Sequence, residues 1–126
     1  MPRKTYQPEK GGLDAPLSMA VRGGDNVYLS GHVAFDENGE IVGNTITEQT
    51  HQTFKNCIST LELAGITMGD VVKVNVYLTD VNNFAAMNKV YKEYFPTMPP
   101  ARTTVGTPLG QLGLLIEIEM IVYAPE

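Results

Sequence analysis

The chain has 126 residues, of which 43% are hydrophobic and 18% are charged. This length and balance are typical of one globular domain, and they exclude a disordered polyanion, which would carry more charge and fewer apolar side chains. We therefore expect a single domain over residues 1–126. Nine Lys and Arg against fourteen Asp and Glu give a net charge of −5. With no basic run present, nucleic acid is not expected as a partner.

Other broad classes are disfavoured by what the sequence lacks. No stretch of about 20 consecutive apolar residues is present, and residues 1–7 lack the apolar core of a signal peptide. We expect a cytoplasmic protein with no membrane partner. Cys57 is the single cysteine, which excludes an intrachain disulfide and a cysteine-rich metal cluster, because each needs at least two thiols. Its place beside apolar Ile58 favours a small buried side chain over a reactive thiol.

The first predicted elements are two strands joined by a tight turn. The segment Gly-Gly-Asp-Asn at 23–26 separates two apolar runs, 17–21 and 27–29, and this pattern is typical of a β-hairpin. A second turn is predicted at 37–39, where the sequence reads Glu-Asn-Gly.

A helix of about five turns is predicted to follow. Thr45 and Glu48 have the spacing of a capping box, and Gly65 is placed to end the helix. The apolar stripe at helical spacing contains His51, Phe54, Ile58 and Leu61. Because His51 lies on this stripe, we expect it to be packed and hydrogen-bonded.

Alternating side chains predict a strand over 71–78. The residues expected on its apolar face are Val72, Val74, Val76 and Leu78. Residues 80–83 offer caps for a second helix, which Pro96 ends. The stripe expected on that helix consists of Phe84, Met87, Tyr91 and Phe95.

Two last strands are predicted over 102–107 and 114–123, separated by a loop that contains proline and glycine. Two helices can cover only one face of the resulting sheet. On the other face, Glu117 and Glu119 are mixed with Ile121 and Tyr123, so we expect an oligomer interface there. A solvated face with scattered apolar residues is the alternative.

Common cofactor and nucleophile motifs are absent. The sequence contains no GxxxxGK[ST], HExxH, CxxC or GxSxG. His32 and His51 are the only histidines, and neither has a neighbouring ligand at helical or hairpin spacing. We therefore expect no metal ion and no cofactor.

Two charged residues point to chemistry. Arg102 follows Pro99-Pro100-Ala101, and a guanidinium on such a rigid approach is suited to bidentate capture of a carboxylate. Glu117 lies within an apolar strand, where an ionised group costs free energy unless it faces water, a partner charge or a functional cavity. A structural salt bridge or a solvated strand face is the alternative for these side chains.

A series of short motifs lies in order along almost the whole chain. They are Ser30-Gly31, the segment 49–56 (QTHQTFKN), Ala64-Gly65, Val71-Val72-Lys73, Phe84 with Asn88 and Tyr91, Pro100-Ala101-Arg102, and Ile116-Glu117-Ile118-Glu119. Their order and spacing over about ninety residues resemble the RidA/YjgF family of reactive intermediate deaminases.

The resemblance implies a chorismate-mutase-like α+β fold, with a six-stranded mixed sheet and two helices on one face. It also implies a homotrimer with an inner barrel and with clefts between subunits. In such a cleft, Arg102 would bind the substrate carboxylate, Glu117 would orient or activate water, and Ser30 would line the site as a third catalytic group. Further substrate contacts are implied at Gly31, Asn88, Thr104 and Leu17.

The chain departs from the family's 2-aminoacrylate deaminases at three places. Leu17 stands where those members have the tyrosine of Gly-Pro-Tyr, His32 stands where they have the glutamine of Ser-Gly-Gln, and Thr104 replaces a cysteine. Arg102 and Glu117 are retained, so the changes bear on the substrate rather than on the anchor or the base.

The function implied is hydrolysis of small enamine or imine carboxylates to 2-oxo acids and ammonia. Water attacks the imine carbon, so the site needs a carboxylate anchor and a general base. One alternative is a non-catalytic trimer that senses 2-oxo acids, and another is a deaminase of larger enamines such as 2-aminomuconate. A ribonuclease fits least, because a chain of net charge −5 without a basic patch is poorly suited to RNA.

Overall fold

A six-stranded mixed sheet and two helices make up the computed structural model, which describes residues 3–9 and 15–126. In chain order the elements are β1 (Lys4–Tyr6), β2 (Ala20–Gly23), β3 (Asn26–Leu29), α1 (Ile46–Leu63), β4 (Val71–Leu78), α2 (Phe84–Tyr94), β5 (Ala101–Gly106) and β6 (Ile116–Tyr123). The strand order is β1-β2-β3-β6-β4-β5. Only the β4–β5 pair among these strands is parallel. The predicted α+β class and six-stranded mixed sheet are confirmed.

The predicted hairpin and first helix are present. The hairpin turn contains Gly24 at a φ of 63°, a left-handed conformation that glycine adopts without steric cost. At the start of α1, the Thr45 side chain accepts a hydrogen bond from the Glu48 amide at 3.1 Å, and the Glu48 carboxylate accepts one from the Thr45 amide at 3.2 Å. This capping box satisfies two backbone donors that the helix leaves free.

Three details of the predicted packing are wrong. Cys57, not Ile58, is fully buried on α1. Val72 is 46% exposed, because a β-bulge between Val71 and Lys73 shifts the alternation at the start of β4. Phe84 is the first residue of α2 and is 42% exposed, so it lies outside the buried part of the apolar stripe.

Strand β1 was not predicted from the sequence. It is three residues long and buries one side chain, Tyr6, so it carries no alternating pattern. The β2 strand also begins later than the apolar run 17–21 indicates, at Ala20.

The core lies between the helices and one face of the sheet. Apolar side chains of both helices form one cluster with the inward side chains of β4 and β6. The opposite face of the sheet, termed here the open face, carries half-exposed Tyr28 and Tyr123 together with polar residues of β4 and β6. Within the described ranges, no helix is long and apolar enough to cross a membrane.

Candidate active site

The Glu117 carboxylate lies directly against the backbone of Gly31. A Cβ atom built on Gly31 would stand 2.0 Å from Glu117 Oε2, so only glycine leaves this space to the carboxylate. The next residues hold the contact in place, because the His32 amide donates to the Ile118 carbonyl at 2.7 Å and the Ile118 amide donates back at 2.9 Å. The chain thus brings Gly31 and Glu117 together from separate parts of the sequence.

Ser30 and Leu17 lie at the same end of the sheet. The Ser30 hydroxyl donates to the Ser18 carbonyl at 2.6 Å, and the Ser30 amide donates to the Met19 carbonyl at 2.9 Å. Leu17 is next to Ser18 in the chain and is 43% exposed. An apolar side chain therefore occupies the position at which the resemblance places a tyrosine hydroxyl. We call Ser30, Gly31 and Glu117 the glutamate cluster.

A hydrogen-bonded network centred on Glu119 lies beside Glu117 on the open face. Glu119 accepts hydrogen bonds from the side-chain Nδ2 of Asn75 at 3.0 Å and from the Tyr77 hydroxyl. The hydrogen bond to Glu119 raises the pKa of Tyr77 to about 12, so Tyr77 remains a donor at neutral pH. Burial, and then the negative charge of Glu119, raise the pKa of Glu117 above its ordinary value. A carboxyl group with a raised pKa is a stronger base when ionised.

Arg102 lies at the start of β5 and packs against α2. Its Nη1 donates to Asn88 Oδ1 at 2.7 Å, and its Cζ lies 4.6 Å from the ring centroid of Tyr91 and 5.5 Å from that of Phe84. Two aromatic rings and one amide thus fix the guanidinium plane. Among residues 3–9 and 15–126, no carboxylate lies within 4.0 Å of it.

Thr104 lies two residues farther along β5, on the same face of the sheet as Arg102. Its hydroxyl is buried, as is that of Tyr91, and neither has a hydrogen-bond partner in the described part of the chain. Burial raises the pKa of Tyr91 to about 12. We call Arg102, Asn88 and Thr104 the anchor cluster.

The two clusters lie on opposite faces of the sheet. Arg102 pairs in register with Val74, whose side chain is in the core beneath the helices. Glu117 pairs with Tyr77, whose side chain is on the open face. Paired residues share a face and neighbours along a strand alternate, so a single chain does not bring Arg102 and Glu117 into one cleft.

Three other candidate side chains, one cysteine and two histidines, are buried or hydrogen-bonded within the chain. Cys57 is fully buried and burial raises its pKa, which confirms the buried-thiol interpretation. His51 is bonded as expected, with Nδ1 2.9 Å from the Tyr94 hydroxyl, although its side chain is 36% exposed. His32, which had no role assigned from the sequence, is 2% exposed and bonded at both ring nitrogens.

The contacts that Phe84 and Tyr91 make with the guanidinium are not evident from the sequence, in which both residues fit the apolar stripe of α2. A signal was present: Phe84, Asn88 and Tyr91 have the spacing i, i+4, i+7 and therefore share one helix face. The network of Asn75, Tyr77 and Glu119 is not evident from the sequence either, since it depends on the register between β4 and β6.

Comparison with known proteins gives consistent results. The family model described as Endoribonuclease L-PSP matches residues 12–124. A RutC family protein of Pyrococcus horikoshii is 44% identical over 109 residues, which are 86% of each chain. A 2-iminobutanoate/2-iminopropanoate deaminase of Dermatophagoides farinae is 41% identical over 108 residues, covering 85% of this chain and 84% of that protein. The crystal structure of RidA from an Antarctic Psychrobacter species superposes with a TM-score of 0.87 at 36% identity, covering 95% of this chain and 98% of that one.

The fold thus defines an α+β protein of the class to which solved Rid structures belong. The chain belongs to the Endoribonuclease L-PSP family, the RidA/YjgF family of the sequence motifs. This family includes imine deaminases.

The Gly31 contact generates a first prediction. In Gly31→Ala, the new methyl group must displace the Glu117 carboxylate, which is the mobile end of a side chain. We expect the free energy of unfolding to change by less than about 1 kcal/mol, while a crystal structure of the variant shows the carboxylate moved away from residue 31. Gly110→Ala is the matched control, because nothing lies within 4 Å of a Cβ at Gly110. An unmoved Glu117 in Gly31→Ala would contradict the described contact.

Proposed function

We propose that this protein hydrolyses small imine carboxylates, formed directly or from enamines, to 2-oxo acids and ammonia. The observation that carries the proposal is the Arg102 guanidinium, which is fixed by Asn88, Tyr91 and Phe84 and has no carboxylate partner within its own described chain. A fixed guanidinium without a counterion is suited to bind a carboxylate ligand through its two-donor fork. The deaminase name of one relative supports the same chemistry.

Glu117 is proposed as the general base. In its ionised form the carboxylate removes a proton from water as the water oxygen attacks the imine carbon, and this proton passes to the nitrogen to give a carbinolamine. As the C–N bond of the carbinolamine breaks, its hydroxyl proton moves through the same carboxylate to the departing nitrogen. The water supplies the oxygen of the 2-oxo acid, and the nitrogen leaves as ammonia. Ser30 is proposed to line the cleft beside Gly31, and the Leu17 and Thr104 side chains to contact the substrate beyond its carboxylate.

The site is proposed to form between two copies of the chain in a homotrimer. Arg102 and Glu117 lie on opposite faces of one sheet, so an anchor and a base can meet only when the anchor cluster of one copy approaches the glutamate cluster of another. The half-exposed tyrosines of the open face, Tyr28 and Tyr123, support an interface there. In a trimer the three open faces would line the inner barrel.

Leu17 favours one particular alternative substrate. An apolar side chain, 43% exposed, occupies the place where a tyrosine hydroxyl is expected in deaminases of 2-aminoacrylate. Such a cleft is better suited to a larger enamine, such as 2-aminomuconate, than a cleft lined by a polar hydroxyl. Turnover of a panel of imino acids of increasing size distinguishes the two substrates. A sensor of 2-oxo acids would bind those ligands and release no ammonia from any imine.

The anchor and the base are separable by mutation. Arg102→Lys keeps the charge but loses the planar fork, so we expect binding of 2-oxo acids to weaken at least about tenfold. Glu117→Gln removes the base but not the anchor, so we expect turnover to fall by about 10²-fold or more with 2-oxo acid affinity nearly unchanged. Ammonia release and calorimetric titration of 2-oxobutanoate measure the two effects. Unchanged turnover in Glu117→Gln would remove this residue from the mechanism.

A further prediction concerns pH. Turnover requires ionised Glu117, and because burial and Glu119 raise its pKa, the rate should rise with pH through a range above that of an ordinary glutamate. Glu119→Gln removes the like charge, so we expect this acid limb of the pH–rate profile to move to lower pH. The residual upward shift from burial should remain. Asp36→Asn, on the turn at 36–39, is the control. An acid limb that does not move in Glu119→Gln would assign the limb to another group.

A further inference from the structure

His32 is a buried histidine that the proposed mechanism does not use. Its side chain lies between the segment 30–31 and helix α1, and the residue is 2% exposed. The ring Nδ1 is 2.6 Å from the Ser30 carbonyl oxygen, and Nε2 is 2.7 Å from the Thr60 hydroxyl. Both ring nitrogens therefore have partners, and the ring links the glutamate cluster to the last turn of α1.

The partners determine the tautomer. Burial lowers the pKa of His32, so the ring is neutral at neutral pH and has one donor and one acceptor nitrogen. A carbonyl oxygen can only accept, so Nδ1 carries the hydrogen and donates to Ser30. Nε2 then accepts from the Thr60 hydroxyl. The arrangement is fully satisfied without a charge.

The Ser30 carbonyl belongs to the peptide plane that also contains the Gly31 amide. A trans peptide points its N–H away from its carbonyl, so the bond from His32 fixes the orientation of the whole Ser30–Gly31 unit. The backbone of His32 also pairs with Ile118 at 2.7 and 2.9 Å, one residue from Glu117. The same residue therefore holds both sides of the Gly31–Glu117 contact.

We propose that His32 is a positioning residue, which through its ring bonds to Ser30 and Thr60 holds the Ser30–Gly31 peptide against the Glu117 carboxylate. It does not touch the substrate. Its effect on turnover rests on the proposed function, whereas its effect on the geometry of Glu117 does not. Loss of the ring bonds would let the peptide turn away, admit water to Glu117 and lower the pKa of that carboxyl toward its ordinary value.

Three variants separate positioning from packing. His32→Leu fills much of the same volume without hydrogen bonds. His32→Gln can donate to Ser30 and accept from Thr60 through one side-chain amide. Thr60→Val removes only the hydroxyl partner of the ring. His51→Leu is the matched control, because His51 is a hydrogen-bonded histidine on α1 that contacts α2 instead of the site.

Two readouts are measured on each folded variant. The first is the pKa of the Glu117 carboxyl and the amide shift of Gly31, from an NMR pH titration that needs no substrate. The second is kcat and KM for an imino acid. In His32→Leu we expect a lowered Glu117 pKa, a shifted Gly31 amide and a kcat reduced at least about tenfold, with KM within about threefold. His32→Gln should restore all of these to near the native values, and His51→Leu should leave them unchanged.

An unaltered Glu117 pKa and Gly31 amide shift in His32→Leu would overturn the proposal. Should His32→Leu fail to fold, Thr60→Val decides by the same two NMR readouts, with the same expected direction and a smaller effect. Should the native protein release no ammonia from any imine, the proposed function fails, but the NMR titration still confirms or overturns the positioning role of His32.

Discussion

Side chains alternate between the two faces of a β-sheet, and this alternation governs how the residues of this protein can act together. Arg102 shares a register position with Val74, under the helices, and Glu117 shares one with Tyr77, on the open face. No rotamer change brings a guanidinium on one face to a carboxylate on the other through the intervening strand. If the two groups serve one substrate, the chain must meet a second copy of itself.

Each cluster is already organised within one chain. The guanidinium of Arg102 is held by Asn88 and by two aromatic rings, so little conformational entropy would be lost when a carboxylate binds. Glu117 lies in the space that Gly31 leaves, and its pKa is raised by burial and by Glu119. Preorganisation of both halves fits a site for a labile substrate, where orientation and one proton transfer supply most of the rate enhancement.

Much of the fold was predictable from local signals. The capping box of Thr45 and Glu48, the alternation along β4 and the glycine turn of the hairpin each depend on neighbours in sequence. The bulge that exposes Val72, the short strand β1 and the face that Arg102 occupies depend on pairing between distant strands, which no local pattern encodes. Among the candidate site residues, Arg102 and Glu117 stand out by their local context, and the others come from motif resemblance. Their separation onto two faces, and the link from His32 to Thr60, required the three-dimensional structure.

The most direct test of the shared site is complementation between two defective chains. Arg102→Ala and Glu117→Gln, each made alone, should be inactive as imine deaminases. When the two chains are mixed, unfolded and refolded together in equal amounts, about one interface in four should combine an intact Arg102 with an intact Glu117. The account predicts that about a quarter of the native ammonia release returns. Mixed assemblies, verified by native mass spectrometry, that stay as inactive as their parents would contradict a site formed between two chains.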